Sequence, residues 1–126
     1  MFKLAALLAI ALVPALALAD KNFVSAVGGT HDCGDDPVVN IAASDGTFTI
    51  TGACKEINIS GDHLHLTIAD TDALMMNGSA NEITLGQVHA ILVNGDGNRI
   101  HWKAAKGAAL PHVDTNGTGN VIEKSK

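Results

Sequence analysis

The sequence predicts an all-β, single-domain parallel β-helix with a capped N-terminus and about five coils, because about five repeats fit in residues 38–124. Three nine-residue segments beginning at Ser60, Asn77 and Asn94 align without a gap at a spacing of 17 residues. Each has a glycine corner followed by aliphatic residues at every second position, which is the strand period. A repeat this short is typical of a stacked solenoid.

The first 19 residues predict an export signal. Lys3 is followed by an apolar run, and Ala17 to Ala19 form a small-residue cleavage site before Asp20. The run is shorter than the roughly 20 residues that span a bilayer. We therefore expect no membrane span in the mature form, which would be periplasmic or secreted.

Residues 20–37 are expected to be an N-terminal cap segment, tied down by Cys33. A disulfide between Cys33 and Cys54 is favoured over free thiols or a metal pair, because two cysteines in an exported small domain usually close a loop. Such a bond would stabilise the fold by about 3 kcal/mol.

Residues 38–126 form the predicted solenoid domain, in which equivalent residues stack in inward columns. The expected columns are Phe48, Leu64, Asn81, Asn98 and Asn120; Ile50, Leu66, Ile83, Ile100 and Ile122; and Gly52, Ile68, Leu85, Trp102 and Lys124. This alignment makes the first spacing one residue shorter than the repeat. It also makes residues 103–112 a looped insertion. The crossover rule predicts a right-handed coil.

Three asparagines at one inward column, Asn81, Asn98 and Asn120, distinguish the solenoid from its main alternative, an antiparallel meander. Parallel coils would stack them so that their side-chain amides hydrogen-bond, whereas a meander would separate them. Repeated inward polar groups are costly without such partners. The parallel arrangement is therefore favoured, with the three asparagines as a structural ladder.

Six histidines suggest a metal site. His63 and His65 would share one face of a strand, with Glu82 one rung below His65, and two imidazoles with a carboxylate suit Zn²⁺ or Cu²⁺. The alternative is a set of solvated charge ladders, one of which is His65, Glu82 and Arg99.

Two other outward sets suggest ligands. Corner aspartates at 45, 62 and 96 resemble Ca²⁺ ligands, although turn hydrogen bonding explains them better. Thr67 and Thr84 form a threonine column that His101 ends; such a column suits ice or polysaccharide, but strand propensity alone also explains it.

Charge and composition exclude some partners. Loss of Lys3 from eight Lys plus Arg leaves seven against 13 Asp plus Glu, a formal charge of -6. A nucleic-acid partner is therefore not expected. The chain lacks nucleophile-elbow, phosphate-loop and HExxH motifs, so we expect no cofactor and no enzymatic activity. A small hydrolase with paired carboxylates is a further hypothesis.

The run ITGACKEINISG and the following NGxxN units resemble an exported bacterial family catalogued as domain of unknown function 3060. The similarity covers residues 33–123, with Gly52 and Cys54 matching its cysteine motif. Leu64 and the 103–112 insertion depart from the pattern. The resemblance implies a fold and an exported setting, and no activity.

The sequence thus predicts an exported, non-catalytic structural or interaction module that meets an unknown envelope or extracellular protein or glycan. Binding of metal ions or polysaccharide is the alternative.

Overall fold

The computed structural model describes residues 20–125 and contains nine strands and no helix in that range. Residues 1–19, with the predicted export signal, lie outside the described residues, as does Lys126. The strands are β1 (Lys21–Val24), β2 (Gly28–Asp32), β3 (Val38–Ala42), β4 (Thr47–Ser60), β5 (His65–Asn77), β6 (Glu82–Asn94), β7 (Arg99–Ala105), β8 (His112–Asn116) and β9 (Val121–Lys124).

All pairings between these strands are parallel, which confirms the β-solenoid and makes the meander wrong. The coils stack into about six turns with two long faces. The first face consists of β2, the first parts of β4, β5 and β6, β7 and β9. The second consists of β1, β3, the last parts of β4, β5 and β6, and β8.

The core is a set of aliphatic columns between these faces. Along the long strands β5 and β6 buried residues alternate with less buried ones, so about every second side chain enters the core. The largest fully buried side chains are Phe48, Ile41, Ile50, Ile57, Ile59, Leu64, Ile68, Leu74, Met76, Ile83, Leu85 and Ile91. A short third side adds a column of Cys54, Thr71, Val88 and Ala105.

The predicted register of the first full coil is wrong by two residues. Phe48 lies over Leu66 and Ile50 over Ile68, a spacing of 18 residues. A β-bulge between Ile50 and Ala53, where Gly52 has a φ of 79°, adds one residue to the 17-residue repeat, whereas the predicted alignment removes one. A slip of two residues keeps the same side chains inside, so the alternation could not reveal it.

The corner glycines allow the coils to approach closely. At Gly78 the φ is 148°, and a Cβ built there would lie 1.8 Å from the carbonyl oxygen of Gly61 in the coil above. Gly95 and Gly117 repeat this contact with the next coils. Any side chain at these corners would force the stack apart.

The segment expected to be a cap is itself a coil of the solenoid. β1 and β2 pair in register with β3 and β4, which accounts for about six turns where the sequence predicts about five. The rings of Phe23 and Phe48 lie 5.1 Å apart in this upper end. His31 is buried, and its Nε2 lies 2.9 Å from the carbonyl oxygen of Asp36.

The lower end is less enclosed. The looped insertion predicted at 103–112 is partly wrong: residues 103–105 complete β7, where Ala104 and Ala105 pair with Gln87 and Val88, and His112 begins β8. The loop between the two strands spans residues 106–111 and leads to a strand whose residues are all exposed. β8 pairs only with β6 and β9 only with β7, so the lower side of both strands has no partner among the described residues. Lys124 pairs with Trp102 there, with its Nζ 5.9 Å from the centre of the Trp102 ring.

Candidate functional site

The inward asparagines form a continuous hydrogen-bonded ladder. The Nδ2 of Asn81 donates to Oδ1 of Asn98 at 3.1 Å, and the Nδ2 of Asn98 donates to Oδ1 of Asn120 at 3.0 Å. Each amide also donates to a corner glycine of the coil above, as Asn98 does to the Gly78 carbonyl at 2.9 Å. Asn81 and Asn98 are almost fully buried, so this ladder serves the core and is closed to ligands.

The corner aspartates bind backbone of a neighbouring coil. Oδ1 of Asp62 accepts from the N–H of Ser79 at 2.8 Å, and Oδ1 of Asp96 accepts from the N–H of Thr118 at 2.8 Å. Asp45 belongs to a different column, because the bulge moves Ser44 into the position aligned with Asp62. The bonds therefore cross between coils, where turn bonding within one coil was expected.

Two outer asparagine ladders were missed by the sequence analysis. On the second face, Asn40 donates to Asn22 at 3.0 Å and Asn58 donates to Asn40 at 2.9 Å. Beside the corners, the members are Asn77, Asn94 and Asn116, with Nδ2 to Oδ1 distances of 3.2 and 2.9 Å. The repeated Asn-Gly pairs were the available signal for the second ladder.

The candidate metal ligands do not converge. His65 Nδ1 lies 3.2 Å from Oε1 of Glu82, as the ladder predicts. His63, however, precedes β5, has a φ of 57°, and faces Asp45, with 4.0 Å between Nδ1 and Oδ1. The strand period therefore does not apply to His63, and the shared face expected for the two histidines is wrong. Among residues 20–125 no group of three or more His, Cys, Asp or Glu is arranged to hold a metal ion.

A charged cluster lies on the short third side. Nζ of Lys106 is 2.7 Å from Oδ1 of Asp70 and 2.6 Å from Oδ1 of Asp72. The hydrogen bond from Lys106 holds the pKa of Asp72 below its ordinary value, and the bonds to Asp70 and Asp72 raise the pKa of Lys106. Because β5 is separated from β7 by β6, this lysine ties together three successive coils.

The first face carries a longer threonine column than the sequence analysis found. Thr30, Thr49, Thr67 and Thr84 lie on successive rungs of β2, β4, β5 and β6. Thr47 and Thr51 flank Thr49 on the same strand face, and all six threonines are exposed. We call these six residues the threonine face. Because the predicted register was wrong near Gly52, the sequence did not align Thr30 and Thr49 with Thr67.

Charged residues continue the same surface downward. His65, Glu82 and Arg99 lie in one register column beside the threonines. Below Thr84 come His101 and Glu123, whose Nε2 and Oε2 atoms are 3.2 Å apart. The surface thus changes from hydroxyl groups above to ion pairs below.

The disulfide forms as predicted, with Sγ atoms of Cys33 and Cys54 bonded and their Cα atoms 5.0 Å apart. Both cysteines are buried. In the described part of the chain there is no detected pocket and no helix that could cross a bilayer.

Comparison of the chain with models of known protein families, with curated proteins and with solved structures found no match. The resemblance to domain of unknown function 3060 therefore stays a prediction.

Proposed function

We propose that the protein is an exported, non-catalytic β-solenoid that acts as an interaction module, and that the threonine face meets an envelope or extracellular partner. The observation that supports this most directly is the column of four exposed threonines on consecutive rungs. Rungs of a sheet are about 4.8 Å apart, so the hydroxyl and methyl groups repeat at a fixed spacing.

Preorganisation supports the proposal. Threonine is β-branched and has few rotamers, so little side-chain entropy is lost when a partner orders it. The backbone beneath is held by the inter-coil ladders and by the Cys33–Cys54 disulfide. Such a rigid surface can bind a partner without the loss of conformational entropy that folding on binding would cost.

The disulfide also supports export, which the first 19 residues predict. A disulfide is compatible with a periplasmic or secreted setting, where thiols are oxidised. Recovery of the protein outside the cytoplasm with Asp20 as its first residue would support export. Recovery of the full-length chain from the cytoplasm would refute it.

Site-specific photo-crosslinking in the source cell tests the binding face. A photoreactive residue at Thr67 is compared with one at Ala42, which is exposed on β3 of the second face. We expect a crosslinked product from position 67 that is lost when Thr49→Glu is added and retained when Ala42→Glu is added instead. Equal crosslinking from both positions, or indifference to Thr49→Glu, would refute the proposal.

Polysaccharide is a second candidate partner, because hydroxyl groups lie beside the carboxylate of Glu82 and the imidazole of His65, all of which can hydrogen-bond sugar hydroxyls. Co-sedimentation with purified cell-wall polysaccharide tests it. Binding should weaken when Thr49 and Thr67 are changed to alanine, and should be unaffected by Asn58→Ala on the second face. Metal binding is not favoured by any arrangement of the described residues; titration with Zn²⁺, Cu²⁺ and Ca²⁺ checks it.

A further inference from the structure

Three Asn-Gly pairs occupy equivalent corners of successive coils: Asn77-Gly78, Asn94-Gly95 and Asn116-Gly117. This dipeptide has an intrinsic reactivity. The glycine nitrogen can attack Cγ of the preceding asparagine, forming a new N–C bond while the Cγ–Nδ2 bond breaks and ammonia leaves. Water then opens the resulting succinimide to aspartate or isoaspartate. Glycine favours the attack because it has no side chain to shield its nitrogen.

The stack protects the upper two pairs. The N–H of Gly78 donates to the carbonyl oxygen of Asn94 at 3.0 Å, and the N–H of Gly95 donates to that of Asn116 at 2.9 Å. A nitrogen held in this way must break its hydrogen bond before it can lose its proton and turn toward the side chain. Among the described residues, the N–H of Gly117 donates to no acceptor.

The side-chain amides follow the same order. The Nδ2 of Asn94 donates to Oδ1 of Asn77, and the Nδ2 of Asn116 donates to Oδ1 of Asn94. Oδ1 of Asn116 accepts no amide from below within residues 20–125. Two of the three carbonyl groups that would be attacked are therefore fixed by a neighbouring coil, and the third is free.

The position of the third pair also favours local motion. Asn116 is the last residue of β8, a strand that is exposed throughout and that pairs, among the strands described, on one side only. Terminal elements with few buried contacts open with the smallest free energies. The distortion that ring closure requires therefore costs least at Asn116.

We infer that Asn116 is a site of spontaneous deamidation and isoaspartate formation, and that modification then proceeds upward, one coil at a time. In isoaspartate the peptide bond to Gly117 runs through Cγ of residue 116, which adds a methylene to the backbone, and the former main-chain carbonyl becomes a free carboxylate. The peptide carbonyl that accepts from the N–H of Gly95 is thereby lost from the strand. The freed nitrogen makes Asn94 the next reactive residue, and Asn77 follows. Each step adds one negative charge and loosens one more rung.

The test is peptide mapping of the purified, disulfide-bonded protein during prolonged incubation in mildly alkaline buffer. Tandem mass spectrometry locates each modified asparagine, and isoaspartyl methyltransferase labelling distinguishes isoaspartate from aspartate. We expect Asn116 to react at least about tenfold faster than Asn94, and Asn94 faster than Asn77, since about 1.4 kcal/mol of extra opening free energy slows a reaction tenfold. In denaturant with a reducing agent, the three rates should agree to within about threefold.

The variant Asn116→Gln tests the stepwise part, because the longer side chain closes its ring far more slowly. Asn94 of the variant should stay unmodified throughout the time that the parent protein needs to lose its unreacted Asn116. Comparable rates at the three sites in the folded protein, or fastest reaction at Asn77, would overturn the assignment of Asn116. Unchanged modification of Asn94 in Asn116→Gln would overturn the upward progression.

Discussion

The two ends of the stack are closed in different ways. The upper end has a covalent bond between Cys33 and Cys54, a packed pair of phenylalanine rings and a buried histidine. At the lower end β8 is wholly exposed, and Val113, which continues an inward column, is 39% exposed. A solenoid buries its core by stacking, so its last coils must be closed by something else. Here only the upper end has a covalent closure.

The inter-coil ladders show why this difference matters. A central asparagine such as Asn98 has partners above and below, whereas within residues 20–125 Asn120 has an amide partner only above. Stability in such an array is close to a sum of nearest-neighbour terms, so a coil with one neighbour is held less firmly. The lower end should therefore open first, and the following substitutions test this.

A central corner should tolerate a side chain least. Gly78→Ala places a Cβ against the Gly61 carbonyl and keeps an unfavourable φ, so we expect a loss of more than about 3 kcal/mol in the free energy of unfolding. Gly117→Ala makes the same contact with Gly95, but its coil is free to move down. It should lose less than about half as much. Urea denaturation of both variants measures this, and equal losses would contradict the difference between centre and end.

Removal of the disulfide should make the upper end resemble the lower. We expect Cys33→Ser with Cys54→Ser to lower the free energy of unfolding by about 3 kcal/mol, because the bond closes a loop between residues 21 apart in the chain. Hydrogen exchange should speed up in β1 and β2 and stay unchanged in β8. If exchange instead increased equally at both ends, the bond would not act as a local closure.

The inner ladder should weaken toward the lower end. Asn98→Ala leaves the buried N–H of Asn81 and the carbonyl of Gly78 without their partner, and should cost about 2 to 3 kcal/mol. Asn120→Ala exposes the corresponding groups to an open end where water can replace the amide, and should cost about 1 kcal/mol. Thermal or urea denaturation distinguishes the two, and equal costs would show that the lower coil is as closed as the centre.

The sequence was sufficient for the features that depend on alternation and repeat length. Parallel stacking and the inward amides at Asn81, Asn98 and Asn120 follow from columns that recur at a fixed spacing. Two local features made predictions from the repeat spacing wrong. Gly52 adds a bulge that alternation does not record, although glycine within a strand often marks one. His63 has a left-handed corner conformation, so its apparent strand spacing to His65 was misleading.

The ion pairs between Lys106 and two aspartates, which span two rungs, could not be predicted from the sequence for a different reason. The loop predicted at 103–112 spans only residues 106–111 in the structure, and the contacts of Lys106 with Asp70 and Asp72 depend on where that loop leaves the coil. No repeat spacing encodes this. The threonine face was likewise only half predicted, since its upper members depended on the register at Gly52.

Lys106 links coils near the lower end through its ion pairs with Asp70 and Asp72. Of the substitutions considered, its removal should change the free energy of unfolding least. Because both partners are partly exposed, Lys106→Met should lower the free energy of unfolding by about 1 kcal/mol or less near neutral pH. Lys103→Met is the control, since Lys103 is exposed and makes no ion pair among the described residues.

The pH dependence of the free energy of unfolding identifies the contribution of these ion pairs. The pKa of Asp72 is lowered in the fold, so its contribution is complete above its ordinary value of 3.8 and is lost as pH falls through the lower folded value. The pKa of Lys106 is raised, so its contribution is complete below 10.5 and is lost as pH rises through the higher folded value. The difference between the parent protein and Lys106→Met should thus be constant at intermediate pH and shrink at both extremes. A difference that did not change with pH, or one matched by Lys103→Met, would mean that the lower end has no ionic counterpart to the upper disulfide.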